Sequence, residues 1–257
     1  MKLLSKWTCN IKWATYLLIF LVSCSGPIDY DRSYTWSPVE INPTIEGSED
    51  IEAIIAPYRT KLDSIMDEVI GYASHDLTTQ GQYESTLGTF VTKLLREQSI
   101  SSFEKEVDVT IMNHQGGLRA PINKGPITLG EVFEVMPFEN EMILLEIPGG
   151  RLIELITFIG RSGRSMIWPV SFHVAGSAVE NIRVDGKEIE SNKIYTLSTS
   201  DYLANGGGGF HMLKSLKRME VNPVKLRDMI EQEIRQQTAR GDSIKIEVAN
   251  LITVSGQ

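Results

Sequence analysis

Apolar residues recur along this chain with two different periods, and the places where the period changes outline its elements. Ile51, Ile54, Ile55, Tyr58, Leu62, Ile65, Met66 and Val69 follow one another at three- and four-residue steps, the spacing that gathers side chains on one helix face. Pro57 lies inside this run and fits a helix that starts there, with proline in its first turn. A second helix is predicted over Ser85–Gln98, with Leu87, Phe90, Val91, Leu94 and Leu95 facing inward. The period then drops to two. Val107–Met112 alternates and is rich in β-branched residues, which predicts a strand. Thr128-Leu129-Gly130-Glu131 is a capping-box pattern opening a short helix toward Val135. Met142–Ile147 is a continuous apolar strand, broken by Pro148-Gly149-Gly150 ahead of a third helix over Arg151–Ile159.

The second half is richer in strands. Val170–Val174, Val179–Val184 and Ile194–Thr199 read as strands, with Asp185-Gly186 as a hairpin turn. A charged amphipathic helix is predicted from Pro223, capped by Asn222, and a late strand over Ile244–Val248. No internal repeat or heptad stands out. The mixture predicts a single α+β domain over residues 51–257, a mixed β-sheet with helices packed on it.

The first residues follow neither period. Lys2, Lys6 and Lys12 form a positive stretch ahead of a run, Trp13–Val22, that is nearly all apolar. That run is about half the ~20 residues a spanning helix needs, so residues 1–23 read as a signal peptide. It ends in Leu21-Val22-Ser23-Cys24, which resembles the bacterial lipobox. The expectation is cleavage before Cys24, lipidation of its thiol, and a location in the bacterial cell envelope, on the periplasmic or the outer-surface face. Two or three acyl chains anchor a protein stably. Residues 24–50, with Pro27, Pro38 and Pro43 and no sustained apolar period, read as a tether on which Tyr30, Tyr34 and Trp36 could dock to the domain.

Charge narrows the partners. With 33 acidic against 25 basic residues, the chain lacks the basic footprint of a general nucleic-acid binder. Cys9 and Cys24 are its only cysteines, so no disulfide framework holds the fold. His75, His114, His173 and His211 are scattered, without the spacing of a metal cage. Neither a nucleophile-elbow motif nor a P-loop occurs. No catalytic residue and no metal ligand is assigned.

Three loops carry the candidate chemistry. Asn113-His114-Gln115-Gly116-Gly117-Leu118-Arg119 follows the Val107 strand. Its paired glycines let backbone approach a ligand, and Arg119 offers a planar fork for phosphate or hydroxyls. Pro137-Phe138-Glu139-Asn140 sets an aromatic ring beside an amide able to pair with a base edge. Asp201-Tyr202-Leu203-Ala204-Asn205-Gly206-Gly207-Gly208-Gly209 ends in four glycines that cannot continue a strand cheaply. They suit a loop closing over a ligand or another backbone. Taken alone, the first loop is better explained as a tight turn with a surface arginine and the second as a core plug, and a flexible turn accounts for the third. Together they hold two aromatics, an amide, an arginine and bare backbone, the equipment of a nucleoside pocket.

These runs, together with Gly125–Val132, stand in an order and spacing that resembles the C-terminal, substrate-binding domain of the 5′-nucleotidase family of exported metallophosphoesterases. The likeness extends from about Ile65 to Val254. It implies that Phe138 and Tyr202 are the stacking aromatics, Asn140 the base-reading amide and Arg119 the residue that meets phosphate or sugar. Gly116, Gly117, Gly206 and Gly207 would line the substrate. The loop before Arg119 is one residue longer than the family pattern, so either Asn113 or His114 fills the family asparagine position. Gly208 stands where the family carries an acid for the ribose hydroxyls, and no basic residue lies between Leu77 and Gly88 to match the family's further arginines.

In that family the domain is paired with a metallophosphoesterase domain holding two metal ions. The expectation is a stand-alone, lipid-anchored recognition domain for a nucleoside or nucleotide. Its hydrolysis of phosphate esters would then depend on a separate metallophosphoesterase chain that carries the divalent metals, with no cofactor in this chain. The alternative is a non-catalytic surface lipoprotein that binds nucleosides. The missing acid and arginines favour it, since each charged hydrogen bond contributes ~1.5–3 kcal/mol.

Overall fold

The computed structural model describes residues 37–42, 44–219 and 223–255. The expected signal peptide, Cys24 with its expected lipid, Tyr30, Tyr34, Trp36 and Asn222 lie outside them. Two units divide the chain, 1–49 and 50–257. In the described part of the first, the Asn42 side-chain oxygen accepts from the N–H and hydroxyl of Thr44, at 3.0 and 2.6 Å, an Asx turn.

The second unit is built on a five-stranded mixed sheet. Its members are β2 (Val109–Met112), β4 (Met142–Pro148), β5 (Met166–Trp168), β9 (Ile194–Ser200) and β10 (Lys217–Arg218), in the spatial order β10-β4-β9-β2-β5. β2 and β9 run parallel, while β4 lies antiparallel to β9 over its full length, from Met142 opposite Ser200 to Pro148 opposite Ile194. β4 reads as an unbroken apolar run because both faces of this sheet are covered. Met142 and Leu144 enter one buried cluster, Leu145 and Ile147 the other.

The first cluster is closed by α2 (Thr86–Phe103), α7 (Leu226–Ala239) and the antiparallel pair β1 (Val69–Ala73) and β3 (Gly125–Thr128). α2 extends beyond the expected Gln98 and begins behind Ser85, whose hydroxyl accepts from the Gly88 N–H at 3.0 Å. After β3 comes α4 (Leu129–Val135). Its capping box forms as expected, with Thr128 and Glu131 exchanging hydrogen bonds at 2.8 and 3.2 Å. The second cluster is closed by α5 (Gly149–Ser162) and a four-stranded sheet. Its strands are β6 (Val170–Ala175), β7 (Ala178–Val184), β8 (Lys187–Glu188) and β11 (Ile252–Val254). The hairpin between β7 and β8 turns on Asp185 and Gly186, both with positive φ.

Three expectations are corrected. α1 (Glu49–Met66) starts eight residues ahead of Pro57, which sits inside the helix and removes one backbone donor; none of its side chains is buried. α7 starts at Leu226 rather than Pro223, because the preceding residues are extended against the entry to β4. Met142 N–H donates to Val224 O at 2.9 Å and Leu226 N–H to Asn140 O at 3.0 Å. The Ile244–Val248 strand is a single bridge between Ile244 and Ala73. The last paired strand is β11, whose entry is held by the Glu84 carboxylate, accepting from the N–H groups of Leu251 and Ile252 at 3.3 and 3.2 Å. Among the described residues, no helix is long and apolar enough to cross a membrane.

Candidate functional site

Because β2 and β9 are parallel neighbours and β4 runs against β9, the ends of β2 and β9 and the start of β4 share one edge of the central sheet. The three candidate loops leave from that edge. They enclose an open cleft of about 740 Å³, floored by Met112 and Ser200, the last residues of β2 and β9. Asn113, Gly116, Gly117 and Arg119 form one wall, Phe138, Glu139 and Asn140 a second, and Tyr202 a third.

The first wall is a kinked turn, α3 (His114–Gly117), with Gln115 extended and Gly116 at φ +95°. The Asn113 side chain folds back over Gly117, where a Cβ would stand 2.5 Å from its Oδ1. Only glycine leaves that space. Arg119 donates to Gly116 O at 3.4 Å and lies 5.9 Å above the Phe138 ring, within reach of a cation–π contact. His114 points the other way. It is fully buried, its Nε2 is 3.4 Å from Gly81 O, and Nδ1 has no partner. Burial pushes its imidazole below the ordinary value, with the Gly81 carbonyl opposing. Of the two candidates for the family asparagine position, Asn113 therefore reaches the cleft and His114 does not.

Phe138 and Tyr202 are 39% and 48% exposed, large apolar rings left partly open to the cleft. Tyr202 lies in the first turn of α6 (Asp201–Ala204), capped by the Ser200 hydroxyl, which accepts from Leu203 N–H at 3.2 Å. Its ring rests on Gly207, where a Cβ would stand 2.4 Å away. Its hydroxyl accepts from Gly208 N–H at 3.0 Å. The glycine run thus makes a seat for Tyr202. Gly206 and Gly207 do not line the cleft, which corrects the expectation that they face a ligand; Gly206 borders Lys214 and His211 instead. Phe210 closes the run as a core residue, edge-on to Phe158 at 5.1 Å.

Asn140 is held from across the cleft. Its Nδ2 donates to Asp201 Oδ1 at 2.8 Å, the same oxygen accepts from Glu141 N–H at 3.2 Å, and Asp201 N–H donates back to Glu141 O at 2.9 Å. These bonds join the Phe138 loop to the Tyr202 loop. Glu139, beside Phe138, pairs with Lys225 and Arg227. Hydrogen bonds from Lys225 first and Arg227 second hold its carboxyl down to about 2. Arg227 is itself buried against the Phe133 ring, 4.0 Å away. Among the described residues, the one carboxylate lining the cleft is therefore neutralised by neighbours, and an anionic ligand would not face it bare. Sequence reasoning missed Lys225 and Arg227, which stand 86 and 88 residues from Glu139 and carry no local signal. Among the described residues, no three His, Cys, Asp or Glu side chains converge as metal ligands.

The family model described as 5′-nucleotidase, C-terminal domain, matches residues 69–215, a stretch that includes all three cleft walls. The chain belongs to this family. Endonuclease YhcR of Bacillus subtilis is 31% identical to this 5′-nucleotidase-type chain over 173 residues, 64% of this chain and 14% of that protein. Protein UshA of Escherichia coli is 22% identical over 214 residues, 79% of this chain and 37% of its own length. The chain thus spans well under half of either relative. The 5′-nucleotidase precursor of Thermus thermophilus superposes with a TM-score of 0.65 over 80% of this chain and 43% of that one, at 22% identity. At that identity the likeness establishes the shared α+β fold.

Proposed function

We propose that the cleft recognises a nucleoside or nucleotide, with the base stacked by Phe138 and Tyr202 and read at its edge by Asn140. The observation that carries this reading is the convergence of two half-exposed aromatic rings and one oriented amide on a single cleft of about 740 Å³. Every base presents a π-face, so two rings supply affinity while the amide supplies selectivity. Arg119, at the open side of Phe138, is placed to meet a sugar or phosphate. Asn113 is the second polar group on that wall.

Hydrolysis is assigned to a separate metallophosphoesterase chain bearing the divalent metals, with this chain as the recognition half of a split 5′-nucleotidase held to the envelope by lipid on Cys24. Support comes from membership of the family and from Arg119, Phe138, Asn140 and Tyr202 standing around one cleft. A non-catalytic nucleoside-binding lipoprotein is the second reading. It is favoured by Gly208, which leaves no carboxylate for the ribose hydroxyls and spends its N–H on Tyr202.

The test is calorimetry with adenosine and AMP on the purified chain, beside an AMP hydrolysis assay with Mn²⁺. Binding without hydrolysis is expected. Phe138→Ala and Tyr202→Ala should each weaken binding by about fivefold or more, since a base–aromatic stack contributes ~1–3 kcal/mol. Equal heats from all three proteins would show that the rings are only structural. A metallophosphoesterase chain whose AMP hydrolysis rises on adding this one would favour the split enzyme over the binding lipoprotein.

A further inference from the structure

We propose that Asp201 is the positioning residue that sets base selectivity: by holding the Asn140 amide in one of its two orientations, it makes the cleft distinguish a 6-amino purine from a 6-oxo purine. This rests on the reading of the cleft as a nucleoside site and deepens it.

An asparagine amide can rotate by half a turn and exchange its oxygen with its nitrogen, so a free asparagine reads a donor–acceptor edge in either order. Asn140 lacks that freedom. Its Nδ2 lies 2.8 Å from Asp201 Oδ1, and an ionised carboxylate only accepts. The turned amide would set its oxygen against the carboxylate oxygen, two acceptors with no proton between them. Asp201 cannot swing aside to relieve this, because the same Oδ1 accepts from Glu141 N–H and its own N–H is bound to Glu141 O. The cleft is thus offered the amide oxygen and the second N–H in a fixed order. Among the described residues, no hydrogen bond engages Asn140 Oδ1.

Adenine carries a donor at its 6-amino group and an acceptor at N1. Hypoxanthine carries an acceptor at its 6-oxo group and a donor at N1. The two rings have the same shape and stack equally well, but their edges are inverted. A fixed amide complements one edge and meets the other donor to donor and acceptor to acceptor. Leaving such groups unpaired in a desolvated contact reduces affinity by about tenfold or more. A movable amide would accept both.

The test compares adenosine with inosine by calorimetry on the full chain. Wild type should bind one of them about tenfold or more tightly than the other. Asp201→Ala removes the oxygen that accepts from both Asn140 Nδ2 and Glu141 N–H, so the amide is free to turn and the ratio should fall to within about threefold, chiefly because the disfavoured nucleoside is gained. A merely structural role for Asp201 would lower both affinities together and leave the ratio unchanged, and that result would overturn the proposal. Asn140→Ala gives an independent check if Asp201→Ala does not fold. It should abolish the ratio, and persistence of the wild-type ratio would be fatal. Wild-type protein that binds both nucleosides equally overturns this inference alone. Wild-type protein that binds neither overturns the nucleoside site with it.

Discussion

α1 and α2 are both eighteen residues long, and both carry an apolar stripe at helical spacing, yet the molecule uses them in opposite ways. α2 buries eleven residues against the central sheet and α7, among them Leu87, Val91 and Leu95. α1 buries none; its Ile54 and Tyr58 are 63% and 75% exposed, and Met66 alone is half-buried against the first cluster. The stripe states which face would gain from being covered. Whether it is covered depends on what the rest of the chain brings to it. Period alone cannot distinguish a core helix from an uncovered one.

The sharpest way to test this contrast is to truncate matched residues. Leu95→Ala in α2 should destabilise the chain by ~2–5 kcal/mol, the range for emptying a packed site, read as a lowered urea midpoint. Removing the α2 cap with Ser85→Ala should cost ~1 kcal/mol by the same measurement. A smaller effect confined to acid comes from His114, whose Cβ lies 3.1 Å from the point where a side chain at Gly88 of α2 would begin. Burial holds the folded imidazole below 6.5. The unfolded chain therefore binds the proton more readily, and the stability owed to the neutral ring is complete above about pH 6.5 and is lost as pH falls through and below that value. His114→Gln should show a shallower decline in urea midpoint between pH 7 and pH 5 than the wild type. Smallest of all, Leu62→Ala in α1 should change the stability by less than ~0.5 kcal/mol, read as a nearly unmoved midpoint. A cost close to that of Leu95→Ala would mean the α1 face is covered in solution.

What was legible in the chain was what local patterns govern. The capping box at Thr128, the Asp185-Gly186 hairpin and the β4 strand are each written in consecutive residues, and each is found where expected. The cleft was legible as three separate motifs, and the pairing of β9 with β2 on one side and β4 on the other brings them together. The remainder is non-local. Nothing within residues 113–119 says that His114 turns inward and Asn113 outward; the kink at Gln115 and Gly116, set against the α2 entry, decides it. The pairing of Glu139 with Lys225 and Arg227, and the late start of α7, both follow from how residues 224–226 lie beside the entry to β4. The four glycines, read as sequence, suit a loop closing over a ligand or another backbone, whereas the close approach at Gly207 is to the Tyr202 ring.

That seat bears on the thermodynamics of anything that stacks on Tyr202. Its ring lies against Gly207 and its hydroxyl is tied to Gly208 N–H, so the side chain has little torsional freedom left to surrender. Phe138 has no group to hydrogen-bond, and among the described residues only the Arg119 guanidinium, 5.9 Å away, lies over its ring, so it keeps more of its own. A ligand entering between them would therefore meet one wall already ordered and one still to be ordered. Most of the side-chain ordering penalty from the two rings would then fall on Phe138, and a stiffer residue at that position would tighten binding without adding a single contact.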